Sequence, residues 1–189
     1  SPILVIKLVL LGVLFGLCGN LFAYALSWSK KKAAIIFPNP YKRIVVMGIF
    51  LSIVFLLLDK GRYSGLGTNL IAASFAGQPV YVYDWLFKLL LTVLTLAAGF
   101  QGGEVTPLFA IGTSLGVLLA GLFGLPVGLV AALGYAAVFG SATSTFLGPI
   151  LIGCEVFGFT NFPYFFIVCA VAFSLHRQHS IYGAQKIRY

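Results

Sequence analysis

Residues 105–154 read VTPLFAIGTSLGVLLAGLFGLPVGLVAALGYAAVFGSATSTFLGPILIGC, fifty consecutive positions without an Asp, Glu, Lys or Arg. A water-soluble domain cannot be built on such a stretch, because its helices would have no charged face to turn toward solvent. The sequence on either side agrees. Of 189 residues, 60% are hydrophobic and 16 are charged, 12 Lys or Arg and 4 Asp or Glu, against roughly a quarter charged in a soluble domain. Mean hydropathy is +1.05. Apolar segments recur into the C-terminal third, which a single cleaved signal peptide does not explain. The fold class that follows is all-α and integral to a membrane. The chain opens at Ser1 on an already apolar run, with its single Met at Met47, as expected of a piece of a longer protein.

The net charge of +8 does not point to nucleic acid. The basic residues fall as Lys30-Lys31-Lys32, Lys42-Arg43, Lys60/Arg62 and Arg177/Lys186/Arg188, each beside an apolar segment, where basic residues anchor membrane helices. Cys18, Cys154 and Cys169 lie inside apolar runs without paired spacing or His and carboxylate neighbours, so they read as small buried residues and no metal is expected. No cofactor motif is present.

Leu8 to Trp28 is an uncharged run of 21 residues, enough at ~1.5 Å per residue to cross a ~30 Å hydrocarbon core. Gly12, Gly16 and Gly19 fall near one of its faces and predict close helix packing. The polar loop Ser29 to Arg43 is expected to end it. Ile44 to Leu58 follows with only 15 uncharged residues. Gly61 to Tyr83, rich in Gly with Pro79, Thr68, Asn69 and Gln78, suits short or re-entrant pieces that other protein must cover. Trp85 to Phe100 is helical in character and stops at Gly99-Phe100-Gln101-Gly102-Gly103. A new segment runs from Pro107 to about Pro126, another from Val127 to Phe139, with a break at Gly140-Ser141-Ala142-Thr143-Ser144. Phe146 to Cys154 and Val156 to Leu175 complete the set, interrupted by Glu155 and by Asn161/Pro163. About seven segments of unequal length, several too short to cross alone, make a bundle of tilted and discontinuous helices, as in channels and transporters.

Chemistry concentrates at Gly102-Gly103-Glu104-Val105-Thr106-Pro107. Glycines free the backbone, and Pro107 suits a first helical turn, where its missing N–H costs nothing. Together they aim backbone N–H groups and the positive helix end at one spot, where an anion would bind. The residues alone leave a second reading open, in which the break only joins two packed helices and Glu104 neutralises the helix end.

The same residues carry a resemblance. Gly103 to Pro107 followed by Leu108-Phe109-Ala110-Ile111-Gly112-Thr113-Ser114-Leu115-Gly116 is similar to the G-x-F-x-P segment and following helix of the CLC family of chloride channels and proton-coupled anion antiporters. Ser64-Gly65-Leu66-Gly67-Thr68-Asn69-Leu70-Ile71 resembles that family's glycine-rich turn, Pro149 to Glu155 its glutamate-bearing interface helix, and Ser180-Ile181-Tyr182-Gly183 the start of its last helix, which holds the pore tyrosine. The likeness covers nearly the whole chain but only the C-terminal half of a CLC subunit, one inverted repeat. It implies that 8–28 is an interface helix, that 44–175 supply the remaining membrane helices and that 176–189 begin the last pore helix. The half that carries the selectivity serine and the gating glutamate is expected upstream.

Departures from the common pattern narrow the branch. Val105 replaces the usual aromatic, and Glu104 and Thr106 stand where chloride-selective members have apolar residues. The Glu-Val-Thr-Pro variant resembles the fluoride/proton antiporters of the family. Fluoride is small and strongly hydrated, so a site that strips its water needs extra donors, which a threonine hydroxyl, a tyrosine phenol and a protonated glutamate supply. The resemblance implies an anion site of Gly103, Glu104, Val105, Thr106 and Tyr182, with Glu104 also coupling protons. The alternative is a chloride channel or chloride/proton antiporter of the same family. Without the resemblance, Tyr182 reads as an interfacial aromatic. Glu155 reads as a cap or hydrogen-bonding residue at a helix interface, and His176 and His179 as solvated loop residues.

A membrane enzyme would need a nucleophile and base or a metal cluster, and no such spacing appears. A scaffold would leave Glu104 at a helix break without cause. The expected partners are a halide, protons, lipid and a second copy, in a bacterial-type inner membrane, with a homodimer formed through helix 8–28 and the segments within 146–175. The positive-inside rule would put loop 29–43 in the cytoplasm. The family arrangement puts it outside, with 177–189 inside, and is preferred because half a protein gives a biased charge count.

Overall fold

The structure, a computed structural model, describes residues 1–175 and 180–182. They form eight α-helices, α1 (Pro2–Ile36), α2 (Pro40–Leu57), α3 (Thr68–Ala76), α4 (Asp84–Ala98), α5 (Val105–Phe123), α6 (Val127–Thr143), α7 (Leu147–Phe157) and α8 (Phe162–Ser174), with short 3-10 turns at Asp59–Gly61 and Phe159–Asn161. No strand occurs among the described residues. Three helices, α1, α2 and α5, are long and apolar enough to cross a membrane. The others are shorter, so the bundle is tilted and discontinuous as expected.

The centre is the hairpin of α5 and α6. A Cβ on Gly116 would lie 2.6 Å from the Val130 carbonyl oxygen, and Cβ atoms on Gly112 and Gly134 would each collide with the other residue's backbone. Only bare backbone lets the two helices cross this closely. Gly124 turns the chain between them with φ +63, the left-handed conformation that favours glycine. Phe109 stacks on Tyr135 at 3.9 Å between ring centroids and meets Phe139 edge-on. Leu108, Ile111, Val130, Leu133 and Ala137 beside them are fully buried.

Helix α1 lies along this hairpin. Its inward stripe of Leu8, Leu11, Phe15, Phe22 and Leu26 is buried, at the three-to-four-residue spacing of one helix face. Gly12, Gly16 and Gly19 do permit close packing, and its partners are α8 and α6 of the same chain. A Cβ on Gly12 would lie 2.7 Å from Val171 Cβ, one on Gly16 3.1 Å from Ala172 Cα, and one on Gly19 2.6 Å from Ser141 Cβ. Ser141 Oγ donates to the Gly16 carbonyl at 2.7 Å. The glycine face of 8–28 is therefore used inside the subunit. The opposite face, with Ile6, Leu10, Leu17, Leu21 and Tyr24, is exposed.

Several boundaries differ from expectation. The first helix does not stop at Ser29; it continues through the three lysines to Ile36, 35 residues in all, about 52 Å at ~1.5 Å per residue. Lysine is a good helix former, and Pro38-Asn39-Pro40 supplies the stop. Asn39 then caps α2, its side chain accepting from the Tyr41 N–H at 2.9 Å, and Lys42 and Arg43 lengthen α2 to 18 residues. Helix α6 runs through Gly140 and Ser141 to Thr143, ending at Ser144 with φ +53. Glu155 does not interrupt anything; α7 carries it on an exposed face and ends at Gly158. It makes no hydrogen bond to any described residue, so its expected capping role is not found among them. Between α2 and α4 the chain forms the broken pieces expected, with only nine residues of helix in α3.

Candidate anion-binding site

Helix α4 ends at Gly99, whose φ of +106 turns the chain away. Residues 100–103 then run without regular structure into α5. Among the described residues, Gly102 and Gly103 need glycine neither for a positive φ nor for packing, since none of them lies within 4 Å of a Cβ on either. What glycine does here is leave the backbone bare. Val105 and Thr106 open the helix, so their N–H groups have no acceptor in the preceding turn. Pro107 follows within the first turn, and the Leu108 N–H returns to the Glu104 carbonyl at 3.1 Å. The positive end of a 19-residue helix is thus presented at Gly103 to Thr106.

Glu104 occupies the cap position but its side chain makes no capping hydrogen bond. Glu104, Val105 and Thr106 are half-buried. Neither the Glu104 carboxyl nor the Thr106 hydroxyl has a hydrogen-bond partner among the described residues. Glu104 therefore forms no hydrogen-bonded cap on its own helix. Glu104 borders a polar recess of about 290 Å³ whose other walls include Lys30 from α1, Arg43 from α2, Gln101 and Gly102. Two residues read from sequence as membrane anchors thus line the same recess as Glu104 at the helix break. Nothing in the linear order shows this, because it depends on α1 extending past Trp28.

Tyr182 lies in the short described stretch 180–182, which is not helical. The Ile181 N–H donates to the Ala142 carbonyl at 3.1 Å, fixing this stretch to the end of α6. Continuing the antiparallel register set at Gly112 and Gly134 brings the start of α5 level with that same end, so Tyr182 and Glu104 belong to one end of the hairpin. The Tyr182 side chain is 47% exposed, and its phenol has no partner among the described residues. The expected last helix over 176–189 lies otherwise outside them, as do His176 and His179.

The chain as a whole matches a known group of proteins. The family described as Voltage gated chloride channel matches residues 1–177. The chain belongs to this family. It is 36% identical over 197 aligned residues to a "Chloride/fluoride channel protein" of Pseudomonas syringae pv. tomato, covering 97% of this chain and 42% of that protein. Among solved structures it is similar to the "Crystal structure of a CLC-type fluoride/proton antiporter", with a TM-score of 0.97 and 59% identity over 98% of this chain and 47% of the other. The chain therefore spans just under half the length of these relatives. The CLC fold and membrane placement follow from the family. Among the described residues no group of His, Cys, Asp or Glu is arranged to hold a metal.

One polar network was not anticipated. Asp84, at the head of α4, is fully buried and accepts from Tyr63 Oη at 2.6 Å, from Arg62 Nη2 at 2.6 Å and Nε at 3.1 Å, and from the Tyr81 N–H at 2.8 Å. The Arg62 guanidinium also lies over the Tyr81 ring, and its hydrogen bond to Asp84 raises its pKa above the usual arginine value. Together these contacts pin the α2–α3 connection to α4. The available signal was Asp84 and Lys88, an acid and a base four residues apart at the head of an apolar helix, a spacing that puts both on one face.

Proposed function

We propose that the chain is the C-terminal half of a fluoride/proton antiporter, and that its anion site is the start of α5. The observation that carries this is the pairing of Glu104 and Thr106, one on each side of Val105 and both without a partner among the described residues. A dehydrated fluoride needs several short, strong donors. The N–H groups of Val105 and Thr106, the Thr106 hydroxyl and the Tyr182 phenol are of that kind. Glu104 as a carboxylate would repel the ion; as a carboxylic acid it donates to it. Arrival of fluoride and uptake of a proton at Glu104 therefore favour one another, and that is the elementary requirement for coupling the two fluxes. The 59% identity to a structure titled as a fluoride/proton antiporter supports the same reading.

The upstream half of the relatives supplies the opposite wall of the path in this scheme, and the whole protein resides in the bacterial inner membrane. It pairs as a homodimer through α7 and α8, whose outward faces carry Leu147, Leu151, Val156, Phe162 and Phe166 exposed, with any contribution from α1 coming from its non-glycine face. Each copy keeps its own path. Transport of chloride, by a channel or a chloride/proton antiporter, is the second reading, since the Pseudomonas syringae relative is named for both chloride and fluoride.

Full-length protein reconstituted in liposomes, followed with a fluoride electrode and with a chloride electrode, separates the two. Faster fluoride efflux supports the proposal; faster chloride efflux supports the second reading and makes Glu104 and Thr106 features of local packing.

A further inference from the structure

Helix α1 is longer than a hydrocarbon core, and its excess carries charge. The uncharged run 8–28 suffices for a ~30 Å core, so residues 29–36 continue about 12 Å beyond it at ~1.5 Å per residue. The turn at Pro38-Asn39-Pro40 then brings α2 back beside this extension. Arg43 Nε donates to the Phe37 carbonyl at 3.1 Å across the turn, and Arg43 and Lys30 line one recess. Five cations, Lys30, Lys31, Lys32, Lys42 and Arg43, thus share one end of the molecule, with no Asp or Glu between residues 29 and 43. Arg62–Asp84 is the only ion pair among the described residues. Glu104 borders the recess walled by Lys30 and Arg43, which leaves Lys31, Lys32 and Lys42 exposed and without a carboxylate.

The outward face of α1 indicates what covers them. Leu17, Leu21, Tyr24, Trp28, Lys31 and Ile35 recur at steps of three and four residues and are all exposed, so they form one continuous stripe. Along the axis the stripe passes from leucines to two aromatics and then to lysine. A bilayer presents the same order, hydrocarbon, then interface, then headgroup phosphate. The Lys32 ammonium lies 5.9 Å from the centroid of the Trp28 ring, within cation–π range, which ties the cationic level to the aromatic one. A second copy does not fit this end. Two copies that share one membrane orientation would set the same lysines against each other, and like charges repel. Free phosphate would use the lysines and leave the aromatics without a role.

We propose that this end of α1 and α2 is a docking surface for anionic phospholipid, whose phosphates are held by Lys31, Lys32 and Lys42 while the interfacial part of the lipid packs on Tyr24 and Trp28. The cluster then selects a lipid by its charge, which is more than the anchoring of two helices. The inference uses the membrane placement of the chain and does not rest on fluoride or proton transport.

Native mass spectrometry of the purified full-length protein, titrated with phosphatidylglycerol and with phosphatidylcholine of the same acyl chains, tests this. The unmodified protein is expected to bind phosphatidylglycerol roughly tenfold or more tightly than phosphatidylcholine, as several lysines at about fivefold each imply. Lys31→Gln, Lys32→Gln and Lys42→Gln remove no hydrogen bond among the described residues. Each is expected to weaken phosphatidylglycerol by about fivefold and to leave phosphatidylcholine unchanged, and the triple variant to bind the two lipids alike. Inorganic phosphate in excess over the lipid should displace none of it. Equal binding of the two lipids by the unmodified protein, a preference undiminished in the triple variant, or displacement by inorganic phosphate overturns the proposal. Should the triple variant fail to fold, the three single variants decide. Absence of fluoride transport would sink the proposed function and not this inference, which the lipid titration still decides.

Discussion

Thr106 and Tyr182 each bring a hydroxyl with no partner among the described residues to the same end of the α5–α6 hairpin. If they bind the dehydrated anion, Thr106→Val and Tyr182→Phe each cost about 1.5–3 kcal/mol, the range for a hydrogen bond to a charged group, or roughly 10- to 150-fold in Kd. Thermal unfolding in detergent should be unchanged, because neither hydroxyl holds the fold. Fluoride titration calorimetry reads the first, and unaltered affinity in both variants would remove these residues from the site. Asp84 is the opposite case. Asp84→Ala takes the carboxylate from the buried Tyr63 hydroxyl and from the part-exposed Arg62 guanidinium, which keeps the Pro79 carbonyl, and losing a hydrogen bond to a charged group costs about 1.5–3 kcal/mol. A large drop in unfolding temperature is expected, and one of only a degree or two would show the pair to be marginal. Glu104 and Thr106 were legible in the sequence because they depart from apolar surroundings at a Gly-Pro break. The engagement of Asp84 was not, because its partners come from a connection with no regular spacing.

The helices divide their glycines into two kinds with different consequences. Gly112 and Gly134 meet backbone to backbone, so Gly134→Ala forces α5 and α6 apart and should cost about 1–3 kcal/mol by overpacking. Gly103 has open space around it in this chain. Gly103→Ala should leave unfolding unchanged and slow anion transport by obstructing the approach to the α5 N–H groups. Equal destabilisation by both substitutions would show that Gly103 is a packing residue after all. A glycine count cannot tell these roles apart, since the distinction depends on what faces each one. Boundaries were legible where proline and asparagine act, as at Pro38-Asn39-Pro40. They were misread where charge was taken as an end, because Lys30 to Lys32 and Glu155 are tolerated within helices that project beyond the apolar layer or face outward.

For the whole molecule, the all-helical membrane class and the broken-helix architecture followed from residues 105–154 and from the Gly-Pro interruptions, which physical chemistry constrains strongly. Which face of α1 points inward did not follow. Both faces are apolar, and only contact with Val171, Ala172 and Ser141 distinguishes them. This makes a specific expectation for assembly: cysteine pairs introduced on the outward faces of α7 and α8 should crosslink two full-length copies, and pairs on the glycine face of α1 should not. The central claim is that proton uptake at Glu104 is coupled to anion movement. An imposed proton gradient across liposomes containing the full-length protein, with fluoride equal on both sides, measures it directly. Fluoride should accumulate against its own gradient, and Glu104→Gln should abolish that accumulation while the protein remains folded. Fluoride that only equilibrates under the proton gradient, or uphill accumulation undiminished in Glu104→Gln, would contradict it.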